Sequence, residues 1–189
     1  VLLRRLEESL RKQVEVSLSL KREQKSLRKV NEELRLISAA AENLNDMVMI
    51  TDNDLSQQGP KLVFVNQAFE RLTGYSRSDV IGQSLDILYG QNSEPHEIAR
   101  IHTAMHQQQS IHSEIISYNK ARKEFWLEVD IQPINNSDGE CSNYVAIERD
   151  ISERKKAEFD IYRLAFFDVL TGLPNRRLLR DRMGVLLAS

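Results

Sequence analysis

The sequence has few residues that interrupt helices, and it holds a single cysteine. Neither glycine nor proline occurs before Gly59, and no aromatic residue occurs before Phe64. An opening segment without these residues cannot supply half of a globular core. Because domains usually have about 100–200 residues, a chain of 189 residues is expected to form one compact domain with extensions, or two very small domains. No run of about 18 apolar residues is present, so no membrane contact is expected within this chain.

The lone cysteine, Cys141, excludes a disulfide framework and predicts a reducing, cytoplasmic compartment. The chain begins at Val1 without a signal-peptide pattern, which leaves open an upstream membrane anchor in a longer parent protein. No cluster of His, Cys, Asp and Glu has the spacing of metal ligands, so no metal site is predicted.

Charge is segregated along the chain. Residues 1–44 carry ten Lys and Arg against seven Asp and Glu, residues 45–150 carry eight against sixteen, and residues 151–189 carry eight against five. This layout predicts an acidic domain between two basic segments. Because nucleic acids are bound by basic surfaces, no nucleic acid partner is expected.

Residues 1–44 predict a coiled-coil signalling helix. Apolar residues recur every seven positions and again three positions later, with Glu23 as the one charged position of the seam. The seam residues are Leu20, Leu27, Val30, Leu34, Ile37 and Leu44. Such a narrow seam has little to bury in a monomer, so the predicted partner is a second copy in a parallel homodimer. A helix folded back on its own domain is the alternative.

Between Val14 and Leu20 the heptad register is interrupted, and apolar residues alternate with period two. This stretch could form a strand, but its Glu, Lys, Arg and Gln neighbours favour a helix.

Residues 45–151 predict an α+β domain. Two short apolar runs come before a group of short helices and three strand-like runs follow it, at residues 47–50, 62–65, 111–118, 125–134 and 144–149. Residues 67–72 predict a helix closed by Gly74, and residues 95–109 predict a longer helix. Asn66 is predicted to end a strand and cap the first of these helices.

Residues 152–167 predict a linker helix whose seam residues Ala157, Ile161 and Leu164 pair in the same dimer. A turn follows, and residues 168–189 are predicted to continue into a second helix that begins near Asn175.

The middle of the chain, over about residues 38–158, resembles the PAS family of sensor domains. The resemblance rests on Val65-Asn66-Gln67-Ala68-Phe69, Leu72-Thr73-Gly74-Tyr75-Ser76, Val80-Ile81-Gly82, Phe125-Trp126 and Glu148-Arg149-Asp150-Ile151-Ser152-Glu153-Arg154. It implies a five-stranded antiparallel sheet with helices on one face. It also implies that Asp150, Ile151 and Ser152 relay a signal from the last strand to the linker helix.

Within that family the chain is similar to the LOV subgroup of flavin-binding blue-light sensors, but the residues that serve the flavin differ. The photoactive Cys of the subgroup falls at Leu85, and its two phosphate-holding arginines fall at Asp86 and His102. Its polar contacts to the flavin ring fall at Tyr89, Ser117, Leu127 and Glu148. The resemblance therefore implies a LOV-like scaffold from which the flavin site is lost, and FMN is not expected.

The cavity residues of this scaffold would be Leu85, Tyr89, Ser117, Leu127 and Glu148. Whether they hold another small ligand, of unknown identity, or fill the core stays open. An inward carboxylate at Glu148 would need a partner, and the alternative is that it faces solvent or pairs with Arg149. Some PAS proteins bind haem through a histidine on the helix that carries His96 and His102. The preferred interpretation of both is a polar helix surface.

The tail resembles the start of a GGDEF domain, the domain type that condenses two GTP molecules into cyclic di-GMP. The resemblance rests on Asp168-Val169-Leu170-Thr171-Gly172-Leu173-Pro174-Asn175-Arg176-Arg177, followed by Asp181-Arg182-Met183. It implies that Asn175 contacts guanine, although Gly184 stands where an acidic residue is frequent. No Gly-Gly pair is present, so this chain is not expected to be an enzyme. GTP or cyclic di-GMP is expected to bind only through the remainder of the output domain.

The sequence therefore predicts a dimeric PAS module that controls a diguanylate cyclase through coiled-coil linkers. Because the Leu173-Pro174-Asn175 wording is frequent in proteins that also carry an EAL phosphodiesterase domain, hydrolysis of cyclic di-GMP is the alternative output. A ligand-free PAS domain that serves only as a dimerisation spacer is the third interpretation.

Overall fold

The computed structural model describes residues 2–56 and 59–180, and within the first helix it describes the side chains of residues 17, 18 and 20 onward. The chain divides into two units, Val1–Leu44 and Asn45–Ser189. The predictions made on Asp181, Arg182, Met183 and Gly184 lie outside the described residues.

The first unit is the helix α1, Leu2–Glu42. It runs without a break through residues 14–20, so the strand alternative for that stretch is wrong. The absence of Gly and Pro leaves nothing in the sequence to interrupt the helix. The six predicted seam residues of this unit are all exposed in the single chain. The predicted register interruption falls largely on residues whose side chains lie outside the description.

None of the helices in the described part of the chain is long and apolar enough to cross a bilayer.

The second unit is built on an antiparallel sheet of five strands. They are β1 (Met47–Asp52), β2 (Leu62–Val65), β3 (Ile111–Tyr118), β4 (Glu124–Asn135) and β5 (Cys141–Asp150), in the spatial order β2-β1-β5-β4-β3. All four pairings are antiparallel. The predicted α+β class with a five-stranded antiparallel sheet is confirmed.

Helices connect β2 to β3 and follow β5. They are α2 (Gln67–Thr73), α3 (Arg77–Val80), a 3₁₀ helix (Leu85–Leu88), α4 (Pro95–His106) and α5 (Ser152–Phe166), and residues 176–180 are helical as well. Asn66 caps α2 by accepting a hydrogen bond from the Phe69 N–H at 3.1 Å, as predicted. Gly74 ends the helix in the left-handed conformation, which a residue without a Cβ adopts at little cost.

Helix α4 and strands β4 and β5 have other bounds than the sequence predicts. Helix α4 ends at His106, because Gln108 takes a φ of 54° that no α-helix continues. Strand β4 extends one residue further at each end than predicted, and β5 begins at Cys141 rather than Tyr144. The two strands pair with each other as far as Asn135 and Cys141, and Glu124 joins β4 because it pairs with Tyr118 of β3.

The two faces of the sheet differ in what covers them. The inner face packs against α2, α3, the 3₁₀ helix and α4, around a core that includes Met49, Phe69 and Ile131. The outer face carries the residues that alternate with these, and there α5 contacts β4. A residue's place in the alternation therefore decides whether it lies in the core or beside α5.

Candidate functional site

The five predicted cavity residues all lie in the layer between the sheet and the helices. Leu85 and Leu127 belong to the apolar core, and the Tyr89 side chain packs against it. Ser117 on β3 and Glu148 on β5 are buried polar residues. The structure thus places these positions, which are distant in sequence, on the inner side of the domain.

Glu148 is a carboxylate without a partner in this layer. Its side chain is 6% exposed, and its neighbours across the two strand pairings, Met47 and Val129, are apolar. Its Oε2 has no hydrogen-bond partner among the described residues. Burial alone raises the pKa of Glu148 to about 8, because the charged form loses its hydration. At neutral pH the group therefore holds a proton for much of the time.

The alternative in which Glu148 faces solvent or pairs with Arg149 is wrong. Successive side chains of a strand point to opposite faces, so Arg149 lies on the outer face. There its guanidinium binds Asp46, with 2.7 Å between Nη2 and Oδ2.

Tyr89 follows the 3₁₀ helix and lies close enough to Glu148 to feel its charge. The pKa of the Tyr89 phenol is raised by burial first and then by the negative charges of Glu148 and Asp86. The phenol therefore remains a hydrogen-bond donor throughout the physiological range. The polar part of this candidate site thus includes two carboxylates, the Tyr89 phenol and the Ser117 hydroxyl.

Asp86 and His102 stand on the rim of a surface crevice of about 310 Å³. Their closest atoms, Oδ1 and Nε2, are 3.8 Å apart. The crevice is also lined by apolar side chains, among them Leu55 and Met105. An acidic group and a histidine in one rim do not make a strong anion site, because the carboxylate repels a phosphate.

The two histidines considered for haem both lie toward solvent. The His96 side chain is 87% exposed and that of His102 is 39% exposed. Neither belongs to the buried core, so neither is placed to bind an iron within it. Within residues 2–56 and 59–180, no group of three or more His, Cys, Asp and Glu is arranged to hold a metal ion.

Two of the three predicted relay residues, Ile151 and Ser152, are hydrogen-bonded to Trp126 of β4, and the third, Asp150, pairs with Leu127. The Ile151 N–H donates to the Trp126 carbonyl at 2.9 Å, and the Trp126 N–H donates to Ser152 Oγ at 3.0 Å. The Asp150 carboxylate accepts from the Ser152 N–H at 2.8 Å. The ladder between β4 and β5 is thus continued into the first turn of α5, with Ile151 buried beneath it.

A second set of contacts ties α5 to the outer face, and sequence reasoning missed it. Glu114 on β3 and Glu128 on β4 are direct cross-strand partners, and like charges in that position repel. Arg154 bridges them, with its Nη2 2.7 Å from one carboxylate and 3.2 Å from the other. Lys155 also pairs with Glu114 and lies over the Trp126 ring, with its Nζ 5.0 Å from the ring centroid. Hydrogen bonding to Lys155 is the main cause of the lowered pKa of Glu114.

Beyond its first turn, α5 is open to solvent. It has no buried residue, yet it carries large apolar side chains at exposed positions, including Phe159, Ile161 and Leu164. The Leu164 residue is 66% exposed. An apolar helix face of this kind is typical of a surface that is covered by another chain.

The segment after α5 is held by the polar residues that define its motif. The Asp168 carboxylate accepts from the Thr171 hydroxyl at 2.8 Å and from the Thr171 N–H at 2.9 Å, and these two bonds, the hydroxyl first, lower the pKa of Asp168. Asn175 Oδ1 accepts from the Arg177 and Leu178 N–H groups, and its Nδ2 donates to the Ala165 carbonyl at 2.9 Å. Asn175 is therefore the N-terminal cap of the next helix, and its contact with guanine stays a prediction.

Comparison with known proteins places this arrangement in context. The family model of the PAS domain matches residues 45–153. A blue-light-activated histidine kinase of Brucella anthropi is 32% identical over 113 residues, which are 60% of this chain and 23% of the kinase. The bacterioopsin transcriptional activator of Halobacterium salinarum is 31% identical over 112 residues, 59% of this chain and 17% of the activator. The chain thus spans about a quarter or less of the length of these two relatives.

Solved structures with the same fold include sensory domains of light receptors. The LOV domain of the Erythrobacter litoralis EL346 blue-light-activated histidine kinase superposes with a TM-score of 0.54 and 31% identity, covering 58% of this chain and 99% of that one. An RNA-binding light-oxygen-voltage receptor superposes with a TM-score of 0.62 and 27% identity, covering 69% of this chain and 36% of that one.

Proposed function

The chain belongs to the PAS domain family, and from that premise we propose that it is the sensory module of a cyclic-di-GMP signalling protein. Its relatives show that it is a PAS domain of the LOV type, as used by signalling proteins. The proposal adds the direction of the signal, which runs from the inner face of the sheet to α5 and on to an output domain that follows residue 168.

The observation that carries the proposal is the exposed apolar face of α5. A helix with Ile161 and Leu164 in water and no buried residue gains stability when it pairs with another helix. The predicted seam residues of the first unit, from Leu20 to Leu44, are exposed apolar residues as well. We therefore propose a parallel homodimer in which both helices pair with their own counterparts.

The relay is proposed to act through Trp126. The Trp126 side chain lies on the outer face of the sheet, where it contacts Lys155, whereas the next residue, Leu127, lies in the core. A ligand or a protonation change that moves Leu127 would displace the Trp126 backbone, to which Ile151 and Ser152 are hydrogen-bonded. The pairing of α5 in the dimer would change in turn, because its first turn is fixed to the same strand.

The output is proposed to be a diguanylate cyclase. Residues 168–177 carry the motif, and their hydrogen bonds form a compact turn between α5 and the next helix. Cyclisation requires two GTP-loaded domains that face each other, so the geometry of a dimeric linker is a direct means of control. The Leu173-Pro174-Asn175 wording favours hydrolysis of cyclic di-GMP as the second candidate.

FMN does not fit the residues of this core. Leu85 and Leu127 are buried and offer neither a thiol nor a hydrogen bond to a flavin ring. At the crevice, Asp86 would repel the FMN phosphate. We therefore propose that this domain binds no flavin and that its stimulus is not blue light.

The test uses the chain together with the residues that follow it in its parent protein. Purified parent protein is given GTP, and the formation of cyclic di-GMP is followed by chromatography. We expect synthesis, and we expect Leu164→Glu to lower it at least tenfold and to give a monomer by light scattering of this chain. Ala157→Ser, a mild change in the same seam, is the control. Hydrolysis of added cyclic di-GMP supports the second candidate, whereas autophosphorylation from ATP, as in the kinase relatives, contradicts both.

A further inference from the structure

We infer, building on the proposed sensory role, that Glu148 is the anchor of a binding site for a small organic cation within residues 45–151. The site consists of the Glu148 carboxylate on β5 and the Tyr89 side chain after the 3₁₀ helix. It would give the domain a ligand that is opposite in charge to the phosphate-bearing flavin of the LOV relatives.

The first step is the missing partner. A carboxyl group in a core is ordinarily hydrogen-bonded or paired, since water no longer solvates it. Glu97, on α4, follows this rule, because it accepts from Ser113 Oγ at 2.6 Å and lies 3.3 Å from Arg100. Glu148 is more deeply buried, and its Oε2 has no partner in the part of the chain that the structure describes. A group from outside the chain can supply what is missing.

The second step is the sign of the charge. The elements that face Glu148 present apolar residues, Met47 from β1 and Val129 from β4, and the Tyr89 phenol. Asp86, an exposed carboxylate whose charge also raises the pKa of the Tyr89 phenol, adds a second negative charge. His102 is the basic group beside Asp86, at 3.8 Å on the crevice rim. Once Glu148 is ionised, carboxylates outnumber basic groups among these residues, so the site favours a cation over an anion.

The third step concerns the functional groups that a ligand of this site would carry. An ammonium or amidinium group pairs with a carboxylate and is attracted to the face of an aromatic ring such as that of Tyr89. Both contacts strengthen where water is excluded. The ligand class is thus a small amine, amidine or protonated heterocycle with an apolar body that suits Leu85 and Leu127.

Binding of a cation must displace the proton that burial keeps on Glu148. The reaction is Glu148–COOH plus the cation giving the carboxylate–cation pair plus one released proton, so charge and atoms balance. A neutral ligand leaves the proton in place. Proton release on binding is therefore a signature that distinguishes the two ligand classes.

The experiment is calorimetric titration of the 189-residue chain at pH 7 with two cations, benzylamine and benzamidine. Their neutral counterparts, benzyl alcohol and benzamide, have the same ring and nearly the same size. Each titration is repeated in phosphate and in HEPES, neither of which is a net cation at pH 7, and their different ionisation enthalpies reveal the number of protons released. We expect at least one cation to bind, its neutral counterpart to bind at least tenfold more weakly, and nearly one proton to be released.

Glu148→Gln keeps the shape of the side chain but removes its charge, and it should weaken cation binding at least tenfold and abolish the proton release. Glu140→Gln, at an exposed carboxylate in the turn before β5, is the matched control and should bind like the unaltered chain. Failure of both cations to bind, equal binding of the neutral compounds, or unchanged binding by Glu148→Gln overturns the inference. Light scattering of the same samples separates the two proposals, because a monomer that binds the cation contradicts only the proposed dimer.

Discussion

Glutamate side chains on the two faces of the sheet differ in their partners, and their pKa values shift in opposite directions. On the inner face Glu148 is buried among apolar neighbours, and burial raises its pKa to about 8. On the outer face Glu114 and Glu128 share the guanidinium of Arg154, and the pKa of Glu114 is lowered, chiefly by its hydrogen bond to Lys155. The strands that carry these residues are neighbours, so position along the sheet does not explain the contrast.

The two faces differ in the side chains that the helices bring to these glutamates. The outer face receives two basic side chains from the first turn of α5, whereas the inner face receives apolar side chains and the Tyr89 phenol. The outer carboxylates are therefore paired with basic residues of α5, whereas the inner carboxylate is left for the proposed cationic ligand. In the proposed sensor the ligand site and the helix attachment would lie on opposite faces of the same sheet.

The largest expected effect comes from the inner carboxylate. Between the unfolded value of 4.5 and the folded value of about 8, the folded chain holds a proton on Glu148 that the unfolded chain has lost. Stability contributed by that proton is present at low pH and is lost as the pH rises toward 8. The loss is on the order of 5 kcal/mol, at about 1.4 kcal/mol per pH unit. Urea unfolding at pH 5, 6, 7 and 8 measures it.

Glu148→Gln removes this pH dependence, since glutamine does not ionise. Other carboxylates titrate as well, so the quantity to compare is the difference in unfolding free energy between the two chains at each pH. We expect that difference to shift in favour of Glu148→Gln as the pH rises. A difference that stays constant from pH 5 to 8 contradicts the burial of an unpaired carboxyl group.

The next effect contrasts apolar residues on the two faces. Leu127→Ala opens a cavity in the core and should lower the free energy of unfolding by about 2–5 kcal/mol. Ile147→Ala, on the outer face of β5 and 44% exposed, should cost about 1 kcal/mol or less. Urea denaturation of both variants checks the order. Equal losses would mean that the outer face is covered in solution, as it could be in the proposed dimer.

Much of the inner face could be predicted from the sequence. Alternation along β5 places Tyr144, Ala146 and Glu148 on the same side, and two of the three are ordinary core residues. The inward carboxylate follows from that pattern, and the need for a partner follows from its chemistry. Whether the protein itself supplies the partner could not be predicted, because that depends on which side chains the helices bring to the same place.

The ion pairs between α5 and the outer face could not be predicted, because their residues are far apart in the sequence. Arg154 and Glu114 are 40 residues apart, and they meet only because the register of β3 and β4 sets Glu114 beside Glu128. No local pattern encodes that register. The end of α4 at His106 had no signal either, since Gln108 adopts a left-handed conformation without being glycine or asparagine.

The smallest expected effect concerns the ion pairs that hold α5 on the outer face. A double-mutant cycle of Arg154→Ala and Glu114→Ala should give a coupling energy of roughly 0.3–1 kcal/mol, because both side chains are partly exposed. High salt should reduce the coupling. Lys120 and Asp79, also 2.7 Å apart but remote from α5, form the matched control pair.

The variants of that cycle can also be compared by amide hydrogen exchange, which reports on the first turn of α5 directly. Removing Arg154 leaves Glu114 and Glu128 opposite each other without its charge, so amide hydrogen exchange should accelerate in the first turn of α5. The control pair should leave that exchange unchanged. If Arg154→Ala has no effect on exchange in residues 152–156, the backbone bonds to Trp126 hold the helix by themselves, and the outer face plays no part in positioning it. The contrast between the two faces would then reduce to burial alone, with no role for charge in the relay.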